Sequence, residues 1–348
     1  MVEPSLAGVE QAAEEREAGH SSEAREAVMD RGGAKVETTA LLPTRTQHLT
    51  TLAPDSRSPL LPPMEEWQST LHWQPEAHQQ AQFQQLYALT LAGNRQFNLT
   101  RITESAEFWE KHLWDSLRGV QRFLHEDGAL GVGSQESGVE EQENYFIQNS
   151  KLSSDAAQSA TQNSKLKTQN SKLSSLNVID IGTGAGFPGL PVAIAQPNWT
   201  VTLLDATRKK ITFIDQVLAY MGLTNATTLV ERVEQVGRQR HRRQAYDLAL
   251  IRAVAAAPVC AEYALPLLKI GGCAVLYRGQ WSEAETTSLE AAVAVLGGKI
   301  DAIEAFTTPL TQGDRHCIYL QKIAPTPNEF PRAIGIPTQK PLGLDAEA

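Results

Sequence analysis

Ten residues, Asp180-Ile181-Gly182-Thr183-Gly184-Ala185-Gly186-Phe187-Pro188-Gly189, have the types and spacing from which chemistry could be built. They follow the apolar pair Val178-Ile179 and lead into Leu190-Pro191-Val192-Ala193-Ile194-Ala195, which predicts strand, glycine turn and helix. Glycines in such a turn allow positive φ and let a ligand approach backbone that carries no Cβ. The helix behind the turn offers unpaired N–H groups. A nucleotide-like cofactor is therefore predicted against Gly182, Gly184 and Gly186. Read from Gly182, the frame is G-x-G-x-G, with Phe187 in the place of the third glycine of a dinucleotide fingerprint. Read from Gly184, G-x-G-x-x-G is complete through Gly186 and Gly189 but encloses Pro188. Asp180 ends the strand just ahead of the turn. A carboxylate there repels a pyrophosphate and suits the cationic amino-acid part of S-adenosylmethionine, directly or through water.

A second acid, Asp205, closes the apolar run Val201-Thr202-Leu203-Leu204, 25 positions after Asp180. At the tip of a second strand it is placed to accept both ribose hydroxyls. Adenosylmethionine and NAD both need that acid, so it does not separate them. On another segment His112 and Asp115 lie three apart and share a helix face, where they could brace a pocket or make a structural hydrogen bond. Cys260, Cys273 and Cys317 are widely spaced in or beside apolar runs and read as buried thiols, with no metal site expected.

The elements that must position these residues follow from periodicity. Strands are predicted near 177–181, 200–204, 227–230, 247–251, 273–277, 300–306 and 316–322, with helices between the first five and the last two strands paired as a hairpin. Repeated βα units imply a doubly wound, mostly parallel α/β sheet of seven strands with the ligand at the strands' carboxyl ends. The sheet domain is placed at 176–324, behind a helical subdomain at 61–125. In that subdomain Phe83, Leu86, Tyr87, Leu89 and Leu91 form one apolar face, broken at Gly93. Phe108, Trp109, His112, Leu113, Ser116, Leu117 and Val120 form another. Residues 1–60 read as a disordered acidic extension, and 325–348 as a Pro-rich tail. Residues 126–175 read as a low-complexity insertion: Gln-Asn-Ser-Lys-Leu-Ser-Ser occurs at 148–154 and at 169–175, with a variant at 162–168.

The net charge of −9 over 348 residues is unevenly placed: residues 1–58 carry −4, residues 126–155 carry −6, and the rest +1. The folded part is thus near neutral, and its charge neither requires nor excludes a nucleic-acid partner. No run of 18 apolar residues exists, so no membrane span is expected. No secretory or transit segment is read at the N-terminus, and the expected location is the cytoplasm.

With these pieces in place the chain resembles the glucose-inhibited division protein B family, guanine-N7 methyltransferases of small-subunit ribosomal RNA. The resemblance covers about 62–125 and 176–342. In the helical part it rests on Gly93-Asn94-Arg95-Gln96-Phe97-Asn98-Leu99-Thr100 and Lys111-His112-Leu113-Trp114-Asp115-Ser116-Leu117. In the sheet domain it rests on Asp180 to Gly189, Leu204-Asp205 with Lys209-Lys210, Arg232-Val233-Glu234, Ile251-Arg252-Ala253 and Leu265-Pro266 with Gly271-Gly272. At the end it rests on Pro331-Arg332-Ala333-Ile334-Gly335-Ile336-Pro337 with Lys340-Pro341-Leu342.

The resemblance implies S-adenosylmethionine as cofactor. Gly182 and Phe187 would line its methionine and sulfonium side, Asp205 with Ala206 and Thr207 its ribose, and Val233-Glu234 its adenine. Arg252 would face both cofactor and incoming base as the catalytic residue. The implied partner is small-subunit ribosomal RNA or the ribosomal subunit, with a monomeric enzyme and RNA contacts at His112, Lys209, Arg278, Arg332 and Lys340. Arg278-Gly279 stands where family members have Lys-Gly, which keeps the charge and alters its geometry. Three other readings stay open at this point: a methyltransferase for a protein or small molecule, an NAD-dependent oxidoreductase using the Gly184 frame, and a non-catalytic RNA-binding module.

Overall fold

The computed structural model describes residues 59–62, 66–124 and 175–343; the acidic extension and the repeat tract lie almost entirely outside them. Seven strands form one sheet in the order β3-β2-β1-β4-β5-β7-β6. They are β1 Asn177–Ile181, β2 Thr200–Asp205, β3 Ala226–Val230, β4 Tyr246–Arg252, β5 Leu268–Arg278, β6 Gly298–Thr307 and β7 Asp314–Lys322. The first five run parallel, and β7 lies antiparallel between β5 and β6. The central strands are near-continuous apolar runs because both of their faces are covered. The expected doubly wound sheet and its terminal hairpin are therefore present. β5 starts five residues before its predicted first residue, because Gly271 (φ +85°) and Gly272 form an irregularity within the strand and not a turn ahead of it.

Helices cover both faces. On one lie α1 (Glu66–Leu71), α2 (Ala77–Phe97), the composite helix α3 spanning 105–118, α4 (Gly189–Ala195) and α5 (Arg208–Met221). Trp67, Phe83, Leu86, Trp109 and Leu117 share their core with Val201, Leu203 and Val275 of the sheet. The other face carries the short helix α6 (Val233–Val236), α7 (Ala257–Ala264), α8 (Glu283–Val295) and α9 (Ile336–Gln339).

Two expectations need correction. Gly93 does not break its helix: α2 runs through it, and a Cβ there would stand 2.3 Å from Phe213 Cε2, so glycine is required by the close approach of α5. The Pro-rich end is also no free tail. Phe330 is buried, Pro331 packs on Gly237, and Arg238 and Arg243 donate to the carbonyls of Pro331 and Phe330 (2.9 and 2.7 Å). These two arginines lie in the basic cluster 238–243, and backbone carbonyls take up their donors.

One feature of α3 bears on function. Residues Ser105–Phe108 and Asp115–Arg118 are α-helical, but Trp109–Trp114 form a π-helical stretch. The Asp115 N–H there reaches back to the Glu110 carbonyl. An α-helix would have given that N–H to Lys111.

Candidate active site

The parallel strands β1, β2, β4 and β5 end on one edge at Ile181, Asp205, Arg252 and Arg278. The strand order reverses beside β1, which places the glycine turn at the crevice where open α/β sheets bind ligands. A cleft of about 330 Å³ lies there. Gly182, Asp205, Ala206, Thr207 and Val233 line it, five of the predicted cofactor residues.

Asp205 and Glu231 are the acids of the cleft, and Asp205 is the one held by the turn. Its Oδ1 accepts from Thr207 N–H (2.8 Å), and its Oδ2 from Gly184 N–H (3.0 Å) and Lys210 (3.5 Å). A carboxylate has about four acceptor sites, so the group is oriented by the backbone yet not saturated. Gly182 and Gly184 both have positive φ (73° and 63°). A Cβ on Gly182 would meet Val254 Cγ2 at 2.6 Å, whereas one on Gly184 would find only the Gly182 carbonyl at 3.9 Å. Open space over Gly184, beside a fixed acid with spare acceptors, fits a nucleoside with ribose hydroxyls.

Asp180 is engaged by the protein itself. It is 1% exposed and lies beneath the turn, outside the cleft. Its Oδ2 accepts from Thr183 Oγ1 (2.6 Å) and from the Gly189 N–H (2.8 Å) at the start of α4. The helix N-terminus expected to offer free N–H groups is thus partly capped from within. Oδ1 is buried without a hydrogen-bond partner. Burial pushes the Asp180 pKa up to about 6, against the pull of the Thr183 and Gly189 bonds and of Arg252. Asp180 therefore holds the turn's shape from beneath.

Glu234 also lies beneath the surface, 1% exposed. It accepts from Gly335 N–H (3.1 Å), Tyr263 Oη (3.2 Å) and Arg232 (3.2 Å), tying the C-terminal segment to the cleft wall. Gly184 and Gly186 do not line the cleft, nor does Phe187, which is buried on the helical side. Sequence reasoning missed Val254, Ala255, Tyr263 and Thr338, all cleft-lining. Tyr263 alone left a trace, as the one aromatic in the helix Ala257–Ala264. Thr338 arrives from the far end of the chain and left none.

Arg252 points the other way, toward α3. Its Nη1 donates to Asp115 Oδ2 (3.0 Å) and to the Lys111 carbonyl (2.8 Å). That carbonyl is the one that the π-helical stretch withholds from Asp115 N–H, so the irregular turn supplies an acceptor to the strand-end arginine. Nη2 lies 3.5 Å from His112 Nδ1, and His112 Nε2 lies 2.9 Å from Thr100 Oγ1. The His112 ring stacks on Phe187 (4.4 Å between centroids, 12° between planes). Burial, then the Arg252 and Lys111 charges, hold the His112 pKa down to about 3, so the ring is neutral at physiological pH. The next residue, Ala253, has φ +55°, a left-handed conformation uncommon for alanine. This turn sends Arg252 toward the helices and Val254-Ala255 into the cleft.

The remaining predicted residues are scattered. Lys209 and Lys340 are exposed. Arg278 donates to the Ala255 carbonyl (2.8 Å) and to Glu285 (3.4 Å). Arg332 closes its Nε and Nη2 fork on fully buried Glu262 (2.6–3.1 Å), which anchors the C-terminal segment and takes those donors away from any phosphate. The three cysteines are free, and burial pushes Cys260 and Cys273 up to about 11 and about 12, well away from thiolate. Among the described residues no cluster of three metal-ligating side chains occurs, and no helix is long and apolar enough to cross a membrane.

Comparison with known proteins gives a consistent result. The family model described as GidB, rRNA small subunit methyltransferase G, matches residues 79–136 and 157–318. The break in that match falls inside the low-complexity tract. A protein of Trichormus variabilis named ribosomal RNA small subunit methyltransferase G is 55% identical over 284 residues, covering 81% of this chain and 99% of that one. A protein of the same name from a Nostoc species is 54% identical over 284 residues, with the same two coverages. Another from Trichodesmium erythraeum is 48% identical over 289 residues, covering 83% and 97%.

Proposed function

Since the chain belongs to the GidB family of small-subunit ribosomal RNA methyltransferases, we propose that it uses S-adenosylmethionine to methylate N7 of a guanine in that RNA. When bound, the cofactor supplies an electrophilic methyl group on a sulfonium. In this reading Asp205, Ala206 and Thr207 hold the ribose, Gly182 and Gly184 leave room for the rest of the nucleoside, and Val233 with Tyr263 flanks the adenine. The observation that carries it is the pairing of two strand ends on either side of β1: a fixed acid on β2 and a buried Arg252 network on β4.

Guanine N7 has an in-plane lone pair and no proton, so no general base is needed to make it nucleophilic. His112, neutral and hydrogen-bonded between Thr100 and Arg252, suits a positioning role better than proton transfer. The base ring gains positive charge as N7 is methylated, and an uncompensated cation beside it would oppose the reaction. Asp115 supplies that compensation: the Arg252–Asp115 pair offers guanidinium N–H donors with little net charge. With Nη1 committed to Asp115 and Lys111, Arg252 is proposed to contact the base through its other N–H groups. Lys209 and Lys340, both exposed, are proposed phosphate contacts.

The test is methyl transfer from labelled S-adenosylmethionine to small-subunit ribosomal RNA, or subunits, lacking the modification, followed by nucleoside analysis. Label in 7-methylguanosine at one site, lost in Arg252→Ala, is expected. Tight cofactor binding with no label in RNA would refute the proposal.

A further inference from the structure

A second and larger cavity, a groove of about 810 Å³, lies on the same strand-end edge. Trp281 at the approach to α8, Phe306 at the end of β6, and Arg315 and His316 at the start of β7 line it. Arg278 links it to the cofactor cleft. One arm of the guanidinium donates to the carbonyl of Ala255, a cleft residue, and the other to Glu285, a groove residue. The same group lies 5.8 Å from the Trp281 ring. Two cavities whose linings are tied together by one side chain are placed to receive neighbouring parts of one ligand.

The lining indicates which part. Trp281 Nε1 already donates to Thr286 Oγ1 (2.8 Å), so the indole is fixed in orientation and has only its π face to offer. His316 Nδ1–H donates to the Gly279 carbonyl (2.7 Å), which leaves Nε2 as an acceptor while the ring is neutral. Arg315 makes one hydrogen bond among the described residues, from Nη1 to the Asp314 carbonyl (2.9 Å). A Cβ on Gly279 would meet nothing within 4 Å, so the backbone beside Arg278 is bare. Arg278 is paired with Glu285, and Asp314 stands beside Arg315, which leaves the groove close to neutral. A string of phosphates needs net positive charge; a flat base needs an aromatic face and a few edge partners.

We propose that this groove is a second nucleotide subsite, holding the base of an unpaired nucleotide adjacent to the target guanine, stacked on Trp281. Arg315 and His316 then address its edge or its ribose. The inference rests on the RNA reading above and adds to it the form of the substrate: the target region enters single-stranded, with two bases splayed into separate cavities.

The experiment measures steady-state methylation of unmodified small-subunit ribosomal RNA by the full chain and its Trp281→Ala, Trp281→Phe and Arg315→Ala variants. Cofactor affinity is measured alongside by calorimetry. Loss of one base–aromatic stack corresponds to roughly 5- to 150-fold in binding. Trp281→Ala is therefore expected to raise KM for RNA by that factor, Trp281→Phe to restore most of it, and Arg315→Ala to raise it by a smaller factor. Cofactor Kd should stay within about twofold throughout. Because Trp281 also packs on the core, the RNA is varied as well: an abasic nucleotide on one side of the target should raise the wild-type KM equally and add nothing in Trp281→Ala. Unchanged KM in the variants, or equal abasic penalties in wild type and variant, overturns the subsite. A wild-type enzyme that methylates no RNA overturns the proposed function itself, and that result is read separately.

Discussion

Neutralising Asp115 probes the Arg252 network most directly. The two side chains meet at 3.0 Å and are 15% and 12% exposed. At an effective dielectric of about 20, unit charges at that range attract by about 5.5 kcal/mol before desolvation is counted. Removing one partner of a buried pair costs about 3–5 kcal/mol, because the other charge is left stranded. Arg252 would still hold the Lys111 carbonyl at 2.8 Å, so the lower end applies. Asp115→Asn is therefore expected to lower unfolding free energy by about 2–3 kcal/mol in urea titration, and Arg252→Met by a similar amount. The double variant should lose little more than either single one, a coupling of about 2 kcal/mol. Catalysis gives the second reading. An uncompensated guanidinium beside a ring that is becoming cationic should lower kcat roughly 10- to 100-fold, at about 1.4 kcal/mol per factor of ten, with cofactor Kd changed less than about twofold. Additive unfolding energies would refute the pair as a coupled unit. A cofactor Kd that worsens in step with kcat would show that Asp115 acts on the cleft instead.

Gly93→Ala should lower the melting temperature despite its better helix propensity, since a Cβ 2.3 Å from Phe213 overpacks α2 against α5 by about 1–3 kcal/mol; Phe213→Leu should recover part of the loss. Gly182→Ala should weaken cofactor binding about tenfold by calorimetry; Val254→Ala added to it should relieve the 2.6 Å contact but not the φ of 73°. Asp180→Asn tests the buried carboxylate through pH. With a folded pKa of about 6 against an ordinary 3.8, the native state binds more protons than the unfolded chain between those values, so the stability contribution of Asp180 falls as pH rises through that window. Wild-type stability minus that of the variant should accordingly shrink from pH 4 to about 6.5 and then level off; a difference that is flat or grows with pH would refute the assignment.

Local chemistry was legible in the sequence and long-range partnership was not. The strand–turn–helix at Asp180–Gly189 and the acid at Asp205 were readable because glycine spacing and apolar runs act over a few residues. The destination of the Asp180 carboxylate was not, because the choice between a ligand and the Gly189 N–H nine residues on depends on how tightly the turn closes. Arg332 has the same local appearance as Lys340, yet one is locked on Glu262, 70 positions earlier, and the other is exposed. Gly93 carries the usual signature of a helix stop, and only the position of Phe213 reveals that it is a contact. The π-helical stretch was invisible for a related reason: Phe108, His112, Leu113, Ser116 and Leu117 satisfy α-helical periodicity on paper.

That stretch ties the helical part to the strand-end edge of the sheet. A regular α-helix closes its backbone on itself and presents only side chains. By taking Asp115 N–H to Glu110, the π turn leaves the Lys111 carbonyl for Arg252. Within the same stretch Glu110 accepts from Leu310 and Thr311 N–H (2.5 and 2.8 Å), which fixes the β6–β7 turn. One turn on, the Ser116 carbonyl accepts from Tyr277 of β5 (2.8 Å). Three contacts from one short segment thus set the β4 strand end, β5 next to it and the hairpin beyond. Buried acceptors must be met, so these contacts cannot be made independently of one another. The geometry of the strand-end edge is in this sense fixed by α3 as much as by the sheet.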